Sequence, residues 1–245
     1  WLWAWLALTA VQIVLMFVAP VWLMPLFNKF TPLPEGELRQ QIEAYARTQN
    51  FNLSGIFTMD GSKRSNKVNA YFTGFGRFRR VVLYDTLINT LNTDELLAVL
   101  AHEVGHYRRR HLPQQLGLGL LASALLFFLL NSIIGHEGIF AAFGMTQPPS
   151  IYASLLFVGI LFEPIALLID LGRNALSRRH EFQADAFAAT TTGGPAALTS
   201  ALKRLASGNL VNLTPHPLKV AMEDSHPPIL QRLRALNEIP VPSTP

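Results

Sequence analysis

The sequence predicts a mainly α, multi-helix membrane protein with a small β-hairpin or sheet set beside a helix that carries an HExxH pentad. Three observations lead there. Half of the chain is hydrophobic and only 15% is charged, where about 25% is usual for a soluble domain. Three apolar stretches, 1–24, 114–134 and 151–171, are each long enough to cross a bilayer. Between the first two, short alternating segments precede His102-Glu103-Val104-Gly105-His106, which lies in an apolar run of helical period.

The first stretch, Trp1 to Met24, has Trp1, Trp3, Trp5 and Trp22 near its ends as interfacial anchors, and Pro20 and Pro25 mark a kink or stop. Its start at Trp1, with no methionine and no basic segment ahead of it, reads as part of a longer chain and not as a signal peptide. The chain then turns polar. Pro32, Pro34 and Gly36 break it, and Glu37 to Gln49 reads as an amphipathic helix with Leu38, Ile42, Tyr45 and Ala46 inward. Ile56 to Asp60 has the pattern of a strand, and Gly61-Ser62-Lys63-Arg64-Ser65 that of a basic turn. Asn69 to Thr73 and Arg80 to Tyr84 read as two further strands joined across Gly74 and Gly76. An edge strand near a metal can hold a substrate backbone by strand addition, which makes Asn69, Ala70, Tyr71 and Phe72 candidates for that task. The pattern alone equally allows a plain hairpin.

Asn92-Thr93-Asp94-Glu95 supplies a helix start, with cap-type residues ahead of acidic ones. On that helix His102 and His106, four residues apart, share a face and can offer imidazole nitrogens to a single ion. Glu103 lies beside them, placed to take a proton from an attacking water. Arg108-Arg109-Arg110-His111 closes the helix with positive charge that suits its dipole. The spans 114–134 and 151–171 follow, and their link carries only Glu137 as a formal charge, whereas Arg173, Arg178 and Arg179 come after the second span. Basic residues thus flank the outer ends of this hairpin, so the pentad side is expected on the cytoplasmic face. Glu163 suits either a wet cavity or an internal pair, and Asp170 the interface. Ala196 to Ala206 and Pro228 to Leu236 read as two closing helices, and Pro240 to Pro245 as a frayed tail.

The pentad needs a third ligand. There are no cysteines, so a metal here must use His, Asp or Glu. Arg109 and Leu112 stand where the longer HExxHxxGxxH pattern would have its glycine and last histidine, which favours a remote carboxylate. Glu181 and Asp185 lie on one face of a later helix, one suited to ligate and the other to orient an imidazole. His180 is a rival ligand from a different side of that helix, and a surface ion pair of Glu181 with Arg178 or Arg179 is the plain alternative.

These residues, with Asp60-Gly61-Ser62-Lys63-Arg64-Ser65, Asn69-Ala70-Tyr71-Phe72-Thr73-Gly74-Phe75-Gly76, Arg178-Arg179-His180-Glu181-Phe182-Gln183-Ala184-Asp185 and Ser225-His226-Pro227-Pro228, resemble the integral-membrane zinc metallopeptidases that include the type I CAAX prenyl proteases. The resemblance implies one Zn2+ held by His102, His106 and Glu181, with Glu103 as catalytic base. It further implies that His226 and Arg232 steady the substrate and the charge developing on its carbonyl oxygen, and that Asn69 and its strand hold the substrate backbone. Members of that family carry seven transmembrane helices around a chamber. This chain shows three candidate spans, so 1–245 is expected to be a single membrane-embedded metallopeptidase domain from the C-terminal part of a longer protein.

The implied partners are membrane lipid and a peptide or protein substrate, with removal of the last three residues of a prenylated CAAX tail as the implied reaction. The implied setting is the endoplasmic reticulum or a bacterial inner membrane. A membrane quality-control protease is the near alternative. The distant one is a non-catalytic scaffold whose structural metal takes His111 or His180 as a fourth ligand. The net charge of +4 falls in clusters that read as topology signals, and no aromatic-basic pattern points to nucleic acid.

Overall fold

The computed structural model describes residues 1–63, 69–73, 79–145 and 150–240. Arg64 and Ser65 of the expected basic turn, the Gly74 to Gly76 junction, part of the link between the spans and the end of the tail lie outside the described residues.

The first apolar stretch departs from a single uninterrupted span. Helix α1 covers Leu2–Val18, a π-helical segment covers Ala19–Leu23, and α2 covers Met24–Phe27. Pro20 has no N–H to give, so the ladder slips to wider bonding there. Pro25 falls in the first turn of α2, where the missing donor costs little. The Nε1–H of Trp5 donates to Ser123 Oγ at 3.0 Å, tying α1 to the second span.

A four-stranded sheet follows, built from β1 (Phe30–Pro32), β2 (Gly55–Met59), β3 (Ala70–Thr73) and β4 (Arg80–Tyr84) in the order β1-β2-β4-β3. β2 and β4 run parallel, and β1 and β3 flank them antiparallel. The expected β3–β4 pairing is present, with Ala70 opposite Leu83 and Thr73 opposite Arg80. Among the described residues β3 is an edge of the sheet. Helix α3 (Glu37–Thr48) buries Ile42, Tyr45 and Ala46, on the face its periodicity indicates.

A short helix α4 (Asp85–Thr90) leads into α5 (Thr93–Arg108), which carries the pentad. Its start is a capping box: Asn92 Oδ1 accepts from the Glu95 N–H, and Glu95 accepts from the Asn92 N–H. The chain leaves α5 after Arg108, turns through a left-handed Arg110 (φ 56°), and restarts as α6 (His111–Ile133), with Pro113 in the first turn, where its missing N–H costs little. Helix α7 (Glu137–Ala142) caps the far end of the hairpin, where Phe140 and Phe143 pack on Phe157. Then α8 runs unbroken over Ile151–Thr191 despite Pro164. The second expected span and the Glu181 helix are therefore one rod of 41 residues, about 60 Å long at 1.5 Å per residue. That is twice the ~30 Å hydrocarbon core of a bilayer, so the half with Glu181 projects past the apolar stretch.

Helices α6 and α8 are long and apolar enough to cross a membrane, and their most apolar stretches are only 6% and 11% buried. A core helix of a soluble protein would be mostly covered, so these exposed apolar faces suit a membrane. Glu163 is exposed on α8 and is not internally paired among the described residues, while Asp170 lies 3.3 Å from Arg173. Helices α9 (Ala196–Gly208), α10 (Pro217–Met222) and α11 (Ile229–Asn237) finish the fold. One buried cluster joins the sheet to α3, α4, α5 and α9, and a second joins α3, α5, α8, α9 and α11. Helix α5 is common to both, so the pentad is fixed from two sides.

Candidate metal centre

Helices α5 and α8 cross at Gly105. A methyl group there would come within 3.0 Å of the Ala184 Cα, so only glycine lets the two backbones approach this closely. The crossing brings Glu181 onto the pentad face. One ligand atom each from His102, His106 and Glu181 lies within 4.8 Å of the others. His102 Nε2 is 3.1 Å from His106 Nε2 and 3.6 Å from Glu181 Oε2, and His106 Nε2 is 3.3 Å from Glu181 Oε1. Ligands bound at 2.0–2.1 Å to a tetrahedral ion stand about 3.3 Å apart, which is the spacing found here. Glu181 Oε2 is buried without a well-angled hydrogen bond, although His226 and Arg232 nitrogens approach it within 3.3 Å, so this oxygen keeps the capacity to satisfy a cation. The residues fit a metal of the His-His-carboxylate type. Glu181 is buried, not a surface partner of Arg178 or Arg179.

Asp185, one turn beyond Glu181, takes the other side of His102, with Oδ1 at 2.8 Å from Nδ1. Its carboxylate also accepts from Arg232 of α11, Nε at 2.8 Å and Nη2 at 2.6 Å. The third guanidinium nitrogen, Nη1, points to Glu181 Oε2 at 3.3 Å. His226, largely exposed, sets Nδ1 3.0 Å from the same oxygen. These six side chains come from three helices and one loop. Burial pushes Glu103 above the ordinary carboxylate value, partly offset by the neighbouring His102 and His106. Burial acts the same way on Glu181, yet His106, His226, His102 and Arg232 outweigh it and hold that carboxyl well below the usual range. Asp185 is likewise held low, its burial outweighed by Arg232 and His102.

Of the candidate substrate residues, Asn69 uses its side-chain Oδ1 to accept from the Ala70 N–H at 2.9 Å, and its carbonyl accepts from Tyr84 N–H at 3.1 Å. That second bond makes Asn69 and Tyr84 a hydrogen-bonded pair. Strand alternation then directs the main chain of Tyr71 toward Val82 and leaves the backbone groups of Ala70 and Phe72 on the free edge. Phe72 was within the expected segment, but the parity of the strand could not be read before the register was known.

His111 and His180 do not join the ligand group. His111 Nδ1 instead lies 3.0 Å from His106 Nδ1, and His180 Nε2 lies 3.0 Å from Gln114 Oε1. Gln114 and Gln183, which hold these rings, were missed by sequence reasoning; only their positions in the first turn of α6 and beside Glu181 could have signalled them. Asn174, also unmarked, and Arg178, expected as a topology signal or a surface partner of Glu181, donate to the carbonyls of Met222, Val220 and Asp224, pinning the loop that carries His226.

An HExxH helix that meets a glutamate from a second helix, with an edge strand nearby, defines a metallopeptidase of the HExxH-plus-remote-glutamate class. The chain belongs to peptidase family M48, whose model matches residues 32–240. It is 40% identical over 238 residues to a CAAX prenyl protease 1 homolog from Arabidopsis thaliana, covering 97% of this chain and 55% of that protein. It is 36% identical over 273 residues to the Homo sapiens CAAX prenyl protease 1 homolog, covering 96% and 57%. The crystal structure of S. mikatae Ste24p matches with a TM-score of 0.87 at 38% identity, covering 96% of this chain and 58% of that one. The chain thus spans about half the length of the curated relatives it matches.

Proposed function

We propose that this chain carries the catalytic centre of a membrane-embedded zinc endopeptidase that trims CAAX-type tails. The observation that carries the reading is the convergence of His102, His106 and Glu181 from two helices, with Glu103 on the same turn as the first histidine. His102, His106 and Glu181 would hold the ion. A zinc ion in that place would act as a Lewis acid and bring the pKa of a water toward neutrality. Glu103 accepts the proton of the attacking water and returns it to the leaving amine. Its raised affinity for protons suits a group that must do both.

Arg232 has a divided task. Two of its nitrogens are fixed on Asp185, which locks the guanidinium plane, and the third, 3.3 Å from Glu181 Oε2, is held at the site, where it would meet the charge developing on the substrate carbonyl. His226, at the mouth of the site, is the second donor to that charge. Each such donor is typically worth about 3 to 4 kcal/mol in the transition state. The substrate backbone adds to the edge of β3 through Ala70 and Phe72, with Asn69 and Tyr71 framing them. The uncovered faces of α6 and α8 meet lipid, and the basic residues that flank this hairpin favour a centre on the cytoplasmic side. A prenyl group fits that arrangement, because its apolar chain would enter the same layer that receives the helices.

The intact protein purified in detergent tests this reading. Glu103→Gln is expected to keep its zinc and to lose cleavage of an isoprenylated CAAX peptide, while the wild-type protein cleaves the lipidated peptide in preference to the unlipidated one. Wild-type turnover by Glu103→Gln would remove the assigned base. Equal cleavage of the two peptides would remove the prenyl specificity and leave a general membrane protease.

A further inference from the structure

One imidazole beside the centre has no task in this scheme. His111 is 2% exposed and is the first residue of α6, brought back over the end of α5 by the left-handed turn at Arg110. Its neighbour His106 turns Nε2 toward His102 and Glu181. If Nε2 is the ligating atom, its lone pair must be free, so the ring proton sits on Nδ1 and needs an acceptor. Among the described residues the atom in hydrogen-bond reach of that proton is Nδ1 of His111, at 3.0 Å. His111 must then accept at Nδ1 and carry its own proton on Nε2, which faces Gln183 Oε1 at 3.0 Å. Both ring protons along His106, His111 and Gln183 thus find an acceptor, and no other tautomer set satisfies both contacts while leaving His106 Nε2 open.

The ring of His111 is also locked in plane. His180 stacks on it with centroids 3.9 Å apart and planes 6° from parallel, and Gln114 holds His180 in turn. We propose that His111 is a positioning residue: it fixes the tautomer and plane of His106 as a neutral acceptor, the counterpart of Asp185 behind His102. The two ligating imidazoles are therefore backed unequally, one by a carboxylate and one by a neutral ring. His106 is the less basic donor of the pair, and the centre carries one negative charge fewer than two carboxylate backings would give it.

This inference rests on the metal assignment above, so the test separates the two. Zinc affinity of the intact protein is measured by competition with a chromophoric chelator, and the cobalt-substituted protein is examined by its visible absorption. His111→Leu is expected to lose about 10- to 100-fold in zinc affinity, the usual loss when the group behind a metal-bound imidazole is removed. His111→Asn, which keeps an acceptor near the Nδ1 position, is expected to recover most of the affinity and the wild-type cobalt spectrum. Wild-type affinity in His111→Leu would overturn the proposal, and so would equal losses in both variants, which would mark a packing role.

Should His111→Leu fail to fold, Gln183→Leu takes its place. That variant leaves the imidazole but removes the acceptor that keeps its proton on Nε2. It is expected to lose several-fold in affinity, and Gln183→Glu is expected to restore it; no loss in Gln183→Leu would overturn the proposal. Glu181→Ala run alongside tests the site itself. If that variant keeps zinc undiminished, the metal assignment falls, whereas a loss there with none in His111→Leu removes only the role of His111.

Discussion

Gly105 of α5 faces Ala184 of α8 at backbone contact: an added Cβ would stand 3.0 Å from the Ala184 Cα and 3.2 Å from its carbonyl oxygen. Gly105 directly precedes His106, and Ala184 lies between Glu181 and Asp185. The distance between the two main chains therefore sets how far the carboxylates reach toward the imidazoles. Neither contact atom is at the end of a flexible side chain, so the helices themselves must move to admit a methyl group.

Gly105→Ala should accordingly weaken metal binding and stability together. Overpacking of this kind costs about 1 to 3 kcal/mol, and a separation of a few tenths of an ångström loosens a site whose ligand atoms are only 3.1 to 3.6 Å apart. Thermal melts with and without zinc measure both effects. An unchanged melting temperature and an unchanged zinc response would show that the helices yield without cost, and that the crossing does not set the site.

A second prediction concerns Asp185 and Arg232, both buried and joined by two hydrogen bonds. Removing one member leaves a buried charge without its partner, which costs about 3 to 5 kcal/mol. In the chelated, metal-free protein, Asp185→Ala and Arg232→Met should each destabilise strongly, and the double variant should lose clearly less than the sum. Strict additivity would mean that the two groups do not support each other.

These two relationships mark the limit of what the sequence could convey. The spacing of His102 and His106, the caps at Asn92 and Glu95, and the i, i+4 pair Glu181 and Asp185 are local patterns, and each reads directly from helical period. The strands from 69 to 73 and from 80 to 84 were legible from two-residue alternation, which is equally local. The need for glycine at Gly105 is not local, because it depends on which residue of α8 lies opposite. The same holds for Gln114 and Gln183, whose amides matter only once α6 folds back along α8. Strand β1 escaped notice because three residues ending in Pro32 carry almost no alternation, and α4, α7 and α10 because six residues are under two turns of helix. The break within the first apolar stretch was marked by Pro20, but its π-helical form was not.

The third prediction concerns pH. Glu95 is buried at the start of α5, where Ser200 Oγ lies at 2.5 Å and Arg204 Nε at 3.0 Å. Burial alone would raise its pKa, but Ser200, the Asn92 N–H and Arg204 together hold it below the ordinary value of 4.5. A carboxylate lowered on folding adds stability that is complete above its unfolded pKa and fades as pH falls toward the folded one. The wild-type protein should therefore melt above Glu95→Gln near neutrality, and the gap should close as pH drops below about 4.5. A gap that stays constant to pH 3 would show that the charge of Glu95 contributes nothing to the fold.

The last prediction follows from strand parity. The bond from Tyr84 N–H to the Asn69 carbonyl makes residues 69 and 84 a bonded pair, and two-residue alternation leaves Ala70 and Phe72 facing outward. A substrate strand added there engages only every second amide of its own backbone. N-methylation at successive positions of a CAAX peptide should then raise KM alternately, by about five- to tenfold where a hydrogen bond worth about 1 kcal/mol is lost, and little at the positions between. The Ala70 N–H is already held by the Asn69 side chain at 2.9 Å, so an incoming carbonyl must displace that amide. Asn69→Ala frees the N–H but also removes a side chain that can turn to the substrate, and its effect should appear in KM more than in turnover. A methylation series with no alternation would mean that the peptide does not lie on this edge, and the role given to β3 would have to be withdrawn.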